Sequence, residues 1–255
     1  MIKKLLYFSL ILGLFSCKKE SSFADSIILH HEKNEKLTFQ KFNEGLGETG
    51  TGVIYIGKET SHINIKYFQT MMALPPPPPG FKIQQDLVRD YILSKYFYPS
   101  FDKTFFSDKN IVYDSLSSEN LKILAKAQDT IPKYAYNFET KTLKKYKSFP
   151  VFIKNISGRK LILPEFKNLF PFILNDKKKW QLIQNDNAMV CGDPGWNRIY
   201  WELGPGEIIV ASVNFLPGKD KGEFKLSFGS ATSEPFTMNY DKRIIKDQNI
   251  YFEIK

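Results

Sequence analysis

The sequence predicts a mainly β protein, a C-terminal β-sandwich preceded by a mixed α+β N-terminal region. Three observations predict it. Beyond residue 146, apolar and polar residues alternate in short runs, the period of a strand with one buried face. Turn signals rich in Gly, Pro and Asn separate those runs, as they separate the strands of stacked antiparallel sheets. A helical period occurs only upstream of residue 126. At 255 residues, 42% hydrophobic and 25% charged, the chain has an ordinary core's worth of apolar residues and is too polar for a multi-span membrane protein.

The mixed region spans 26–145. Lys36 to Phe42 and Gly52 to Gly57 read as extended, with Gly45, Gly47 and Gly50 forming a loose hairpin between them. Ile63, Ile65 and Tyr67 alternate with Asn64, Lys66 and Phe68. The prolines 75–79 exclude helix and central strand and read as a stiff polyproline loop. Ile83, Leu87, Val88, Tyr91 and Ile92 recur at helical steps opposite Asp86, Arg89, Asp90 and Lys95, so an amphipathic helix is expected, stopped by Pro99. Leu121, Leu124 and Ala125 point to a second short helix capped by Ser118. Both helices are expected to bury one face against strands.

The sandwich is expected over 146–255, with the division near 144–148. Val151 and Ile153 alternate with Phe152 and Lys154, and Leu161 to Leu163 follow a Ser157-Gly158 turn. Trp180, Leu182 and Gln184 share one face of a third strand; Ile199, Trp201 and Leu203 share one of a fourth. Ile209, Ala211, Val213 and Phe215 line a fifth, followed by Phe224, Leu226 and Phe228, then Ile250, Phe252 and Ile254. Turns are marked by Asn175-Asp176, Asp193-Pro194-Gly195, Gly204-Pro205-Gly206 and Pro217-Gly218.

The N-terminus reads as an export leader over 1–16. Lys3 and Lys4 precede an apolar run from Leu5 to Phe15, too short as a helix to cross a hydrocarbon core of about 30 Å. Leu14-Phe15-Ser16-Cys17 resembles the lipobox of bacterial lipoproteins, with Leu three residues before the Cys and a small residue directly before it; Phe15 departs from the small or branched residue usual between them. The resemblance covers about the first seventeen residues. It implies cleavage before Cys17, a diacylglyceryl thioether on its sulfur, and acylation (palmitate) of the new amine. Lys18 follows, with no acidic retention signal, so the resemblance favours the outer membrane and makes 17–25 a short tether. Several acyl chains, at about 0.8 kcal/mol per buried methylene, hold a protein far more firmly than one.

In the C-terminal half, Asn155-Ile156-Ser157-Gly158-Arg159 and Leu203-Gly204-Pro205-Gly206-Glu207, each a turn beside a hydrophobic strand, resemble the Ig-like and fibronectin-like modules of bacterial surface lipoproteins. That resemblance implies a fold and no catalysis.

Removing Cys17 from the count leaves Cys191 alone, so no intramolecular disulfide forms in the mature chain, and Asp193 beside it opposes thiolate formation. The net charge of +9, less Lys3 and Lys4, is +7. Nearly all the cations are lysine; the arginines are Arg89, Arg159, Arg198 and Arg243, which with the export leader excludes a nucleic-acid reader.

Chemistry-bearing motifs are sparse. His30-His31-Glu32 is the one candidate metal cluster, but neighbours on a strand point to opposite faces, and zinc spacings are absent, so neither metal nor cofactor is expected. Gly45-Leu46-Gly47-Glu48-Thr49-Gly50 has dinucleotide-loop spacing without strand-to-helix context, and no serine elbow exists. Trp196, Arg198 and Tyr200 would share one strand face, an aromatic and guanidinium surface for a sugar or peptide or a cover for the sheet edge. The expected role is a lipid-anchored cell-envelope protein acting as a non-catalytic binding or structural module for a protein or carbohydrate ligand. Two alternatives stand beside it: an envelope inhibitor or immunity protein matched to an acidic partner, and a hydrolase whose carboxylates converge only in the fold.

Overall fold

In the computed structural model the chain is described at residues 22–41, 48–69, 86–99, 105–106, 111–164, 169–183, 199–247 and 253–254. The leader, Cys17, the proline run 75–79, Ile83, Cys191, Trp196 and Arg198 lie outside the described residues. The molecule is mainly β. Its elements in chain order are β1 (Ile28–His30), β2 (Glu48–Thr49), β3 (Val53–Gly57), β4 (His62–Asn64), α1 (Leu87–Tyr96), β5 (Phe105–Phe106), β6 (Leu121–Ala125), β7 (Ile131–Asn137) and β8 (Thr142–Asn155). There follow β9 (Leu161–Pro164), β10 (Pro171–Leu174), β11 (Trp180–Leu182), β12 (Ile199–Leu203), β13 (Ile208–Asn214), β14 (Asp220–Phe228), β15 (Ala231–Thr232), β16 (Phe236–Tyr240), α2 (Arg243–Asp247) and β17 (Glu253–Ile254).

The fold is organised around β8, a strand of 14 residues. One edge pairs with β13, from Ser148↔Asn214 to Lys154↔Ile208. The other edge is shared end to end: β7 pairs residues 142–148 and β6 pairs 151–155. Pro150 sits at the junction of the two, where its missing N–H breaks no ladder bond on that edge. β2 continues the sheet beyond β7 and β3 continues it beyond β13, giving the order β2-β7-β8-β13-β3. A register shift on β13 between Val210 and Ala211 leaves Ile54 as the extra residue of a bulge. Val53 and Ile56, three apart, therefore reach the same core.

Where β13 pairs with Phe149–Ile153 the sheet is buried on both faces, which is why β13 and that part of β8 carry almost no polar alternation. Phe149, Val151 and Ile153, with Ile209, Ala211 and Val213, meet a second layer. That layer contributes Leu161, Leu163, Trp201, Leu203, Phe224 and Leu226 from a three-stranded sheet β5-β12-β9 and a sheet ordered β15-β14-β10-β11-β17, with β16 also on β14. On the opposite face Phe152, Ile208 and Val210 meet Ile27, Ile63, Tyr67, Tyr96, Tyr134 and Tyr136. The division expected near 144–148 thus falls inside β8, and β3 from the N-terminal half is hydrogen-bonded to β13.

Two local expectations are corrected. Residues 121–125 are strand, not helix: Leu121 and Ile123 are buried while Lys122 between them is exposed, and all five residues pair with β8. The expected cap is instead a tight turn, in which Asn120 and Leu121 donate to the Ser117 carbonyl at 3.1 and 2.9 Å. Helix α1 forms as expected, with Asp86 accepting from the Arg89 N–H at 3.0 Å, but it is turned the other way. Leu87, Val88 and Tyr91 are 70%, 70% and 64% exposed, and the inner face carries Ile92, Leu93 and Tyr96. No described helix is long and apolar enough to cross a membrane.

Candidate functional site

Of the aromatic cluster expected around residues 196–200, only Tyr200 lies among the described residues. It is half-buried on β12, opposite Pro164 and Phe105, and stacks on the Phe105 ring at 5.5 Å. Trp201, on the opposite face, is buried and lies 6.5 Å from the Phe68 ring. His30, His31 and Glu32 do not converge: His31 Nδ1 bonds the Glu32 carbonyl at 2.9 Å, and the Glu32 carboxylate takes Lys95 at 2.5 Å. Among the described residues no group of three or more His, Cys, Asp or Glu is placed to hold a metal ion.

The geometry favours a different place. β13 ends opposite Ser148, so the first half of β8 outruns it. The vacated edge is taken by Thr38, whose N–H donates to Lys145 O at 3.0 Å and whose carbonyl accepts from Lys147 N–H at 2.7 Å. Phe215, leaving β13, donates to Lys147 O at 3.0 Å. Phe39 and Phe215 are thereby brought to either side of Lys147, whose Nζ lies 4.9 Å from the Phe39 ring centre. Across from them runs β16, an edge strand paired only with β14 among the described residues. The groove between encloses about 430 Å³. Phe39, Phe215 and Met238 supply apolar surface, Lys147 and Lys221 supply two cations, and among the described residues no carboxylate lines it. Such a site favours a ligand with an apolar body and an anionic end. Sequence reading missed it because Phe39, Lys147 and Met238 are far apart in the chain and no spacing joins them.

A second polar constellation lies in the core beneath α1. The Glu35 side chain, 6% exposed, accepts from Tyr134 Oη at 2.8 Å and from Lys145 Nζ at 2.5 Å. The Lys145 ammonium also lies 5.6 Å from the Tyr96 ring and 6.0 Å from the Tyr134 ring. Burial, then the Glu35 carboxylate, push the Tyr134 hydroxyl far above the ordinary phenol range. Desolvation opposes the Lys145 charge, but Glu35 outweighs it and the ammonium is held above its usual value. Every polar atom named has a partner. Their effect is to fasten the 32–38 segment to β7 and β8.

Two other openings are less suited to a ligand. A void of about 20 Å³ beside Ser212 and Asn214 is the size of one water. A more enclosed depression of about 500 Å³ runs from Leu87 and Val88 to Phe138, but it mixes Arg89 and Lys141 with Asp86. Comparison with protein-family models, with curated proteins and with solved structures finds no match to this chain.

Proposed function

We propose that this chain is a lipid-anchored protein of the cell envelope that acts as a non-catalytic binding module. In this reading the two facing layers form a sandwich of the Ig-like kind, β2, β3, β6 and β7 from the region 26–145 complete its central sheet while β1, β4 and α1 cover the outer face of that sheet, and Cys17 fastens the whole to the membrane. The anchor rests on Cys17 standing directly after a short apolar run behind two lysines. The binding role rests on one observation, the groove in which Lys147 and Lys221 stand beside Phe39, Phe215 and Met238 with no carboxylate among the described lining residues. Two cations lower the cost of bringing a negative group beside apolar side chains.

The test is equilibrium dialysis with 2-naphthoate, an aromatic ring carrying one carboxylate, and with its neutral amide. The proposal expects saturable binding of the acid. Phe39→Ala and Lys147→Ala should each weaken it, and added salt should weaken it further. Equal uptake of acid and amide, or binding unchanged in both variants, overturns it.

A further inference from the structure

The short parallel pair β1 and β4 carries a side-chain constellation that the adjacent residues of the chain do not reveal. Its register sets Ile28 beside His62 and His30 beside Asn64. Alternation then puts His30 and His62 on one exposed face, while Leu29 and Ile63 turn inward, Ile63 into the core. The two imidazoles are diagonal neighbours. His30 Nε2 lies 2.8 Å from His62 Nδ1, and the rings stack with centres 5.1 Å apart and planes 20° apart.

We propose that His30 and His62 form a two-imidazole site for a divalent late transition-metal ion, taking copper(II) most tightly. Two imidazole nitrogens bound side by side, each about 2.0 Å from one ion and about 90° apart, are about 2.8 Å from each other. The strand pair already holds them at that spacing; an ion at that distance from both nitrogens sits beside the N–N line rather than on it, so each ring turns by about 45° to aim its lone pair at the metal, a rotation that the exposure of both side chains permits. The hydrogen shared between them moves through solvent to the other nitrogen of the same ring, and both lone pairs then face the metal; neither neutral ring loses a proton overall. The remaining positions are open to water, since no third His, Cys, Asp or Glu among the described residues joins the pair. Imidazole ligands exclude magnesium and calcium, and the affinity order of divalent ions puts copper(II) above nickel and zinc. The site is independent of the groove and of the anchor.

The test uses the full chain with its thiols alkylated, so that cysteine takes no copper. Copper(II) is titrated at neutral pH and followed by electron paramagnetic resonance. One ion per chain is expected, its spectrum split by two nitrogens. His30→Ala and His62→Ala should each weaken binding at least as much as losing an outer-shell contact does, about 10–100-fold. His31→Ala should leave it unchanged, and circular dichroism should show all three variants folded. Absence of bound copper in the unsubstituted chain overturns the proposal, as does copper retained equally by the folded His30→Ala and His62→Ala variants.

Discussion

The Asn155 carboxamide donates to the Leu203 carbonyl at 2.9 Å across 48 residues of chain, and the same NH₂ group reaches Gly204 O at 3.0 Å and Arg159 O at 2.7 Å. Its oxygen accepts from the Ser157 N–H at 2.9 Å and from the Ser157 hydroxyl at 2.7 Å. One buried side chain therefore ties the turn after β8 to the turn between β12 and β13. Replacing Asn155 by Ala strands these partners and should cost about 2–3 kcal/mol. Asn155→Asp should cost as much, because a carboxylate has no donor for three carbonyl oxygens. Urea unfolding checks both; a loss below about 0.5 kcal/mol, the range of ordinary surface changes, contradicts the role assigned to this residue.

Alkaline stability is tied to the groups around Glu35. Lys145 and Tyr134 both titrate above their ordinary values of 10.5 and 10.0 in the folded chain. A raised value means that the folded state holds the proton more tightly than the unfolded one. The stabilisation is complete below about pH 10 and is lost as pH climbs through the folded values, at up to about 1.4 kcal/mol per pH unit for each group. Denaturation midpoints should be flat from neutral to about pH 9.5 and fall beyond it. Tyr67, Tyr240 and Lys95 are also held above their ordinary values, so Tyr134→Phe removes one of several such titrations and should make that fall shallower without abolishing it. An unchanged slope contradicts the assignment.

The strand assignment of β6 makes a contrast between neighbours. Ile123→Asp places a charge in the core and should cost about 3 kcal/mol or more, whereas Lys122→Asp lies at the surface and should change stability by less than about 0.5 kcal/mol. On α1, Leu87→Ser and Val88→Ser should likewise be nearly neutral, since both side chains are exposed. Thermal melts of the four variants check this.

Legibility of the sequence followed burial. β9 and β12 alternate cleanly and lie within a residue or two of where that pattern puts them, and β14 carries the expected alternation over Phe224–Phe228 but begins four residues earlier, at Asp220. β7 gave no such signal: all seven of its residues are buried and it contains Pro132. That proline is tolerated because β2 pairs only Tyr136 and Asn137, so among the described residues no strand needs an N–H at Pro132, whose carbonyl accepts from the Tyr67 hydroxyl at 2.7 Å. Leu121–Ala125 is short and apolar, and its period is ambiguous until the β8 edge settles it. The apolar spacing of α1 identified a helix but not which side faces inward; Tyr96, its ring tilted against Tyr134 with centres 4.4 Å apart, anchors it from the other side. The groove at Phe39 and the His30–His62 pair were invisible for a common reason. Each joins segments that meet only through strand pairing, Thr38 on Lys145 in one case and β1 on β4 in the other.

The claim on which the functional account depends is the acylation of Cys17, and intact-mass analysis of protein purified from its native cells tests it most directly. The account predicts a chain lacking residues 1–16, with its first residue, Cys17, heavier by the mass of the attached acyl groups. A chain that retains Met1 and carries no acyl adduct contradicts it.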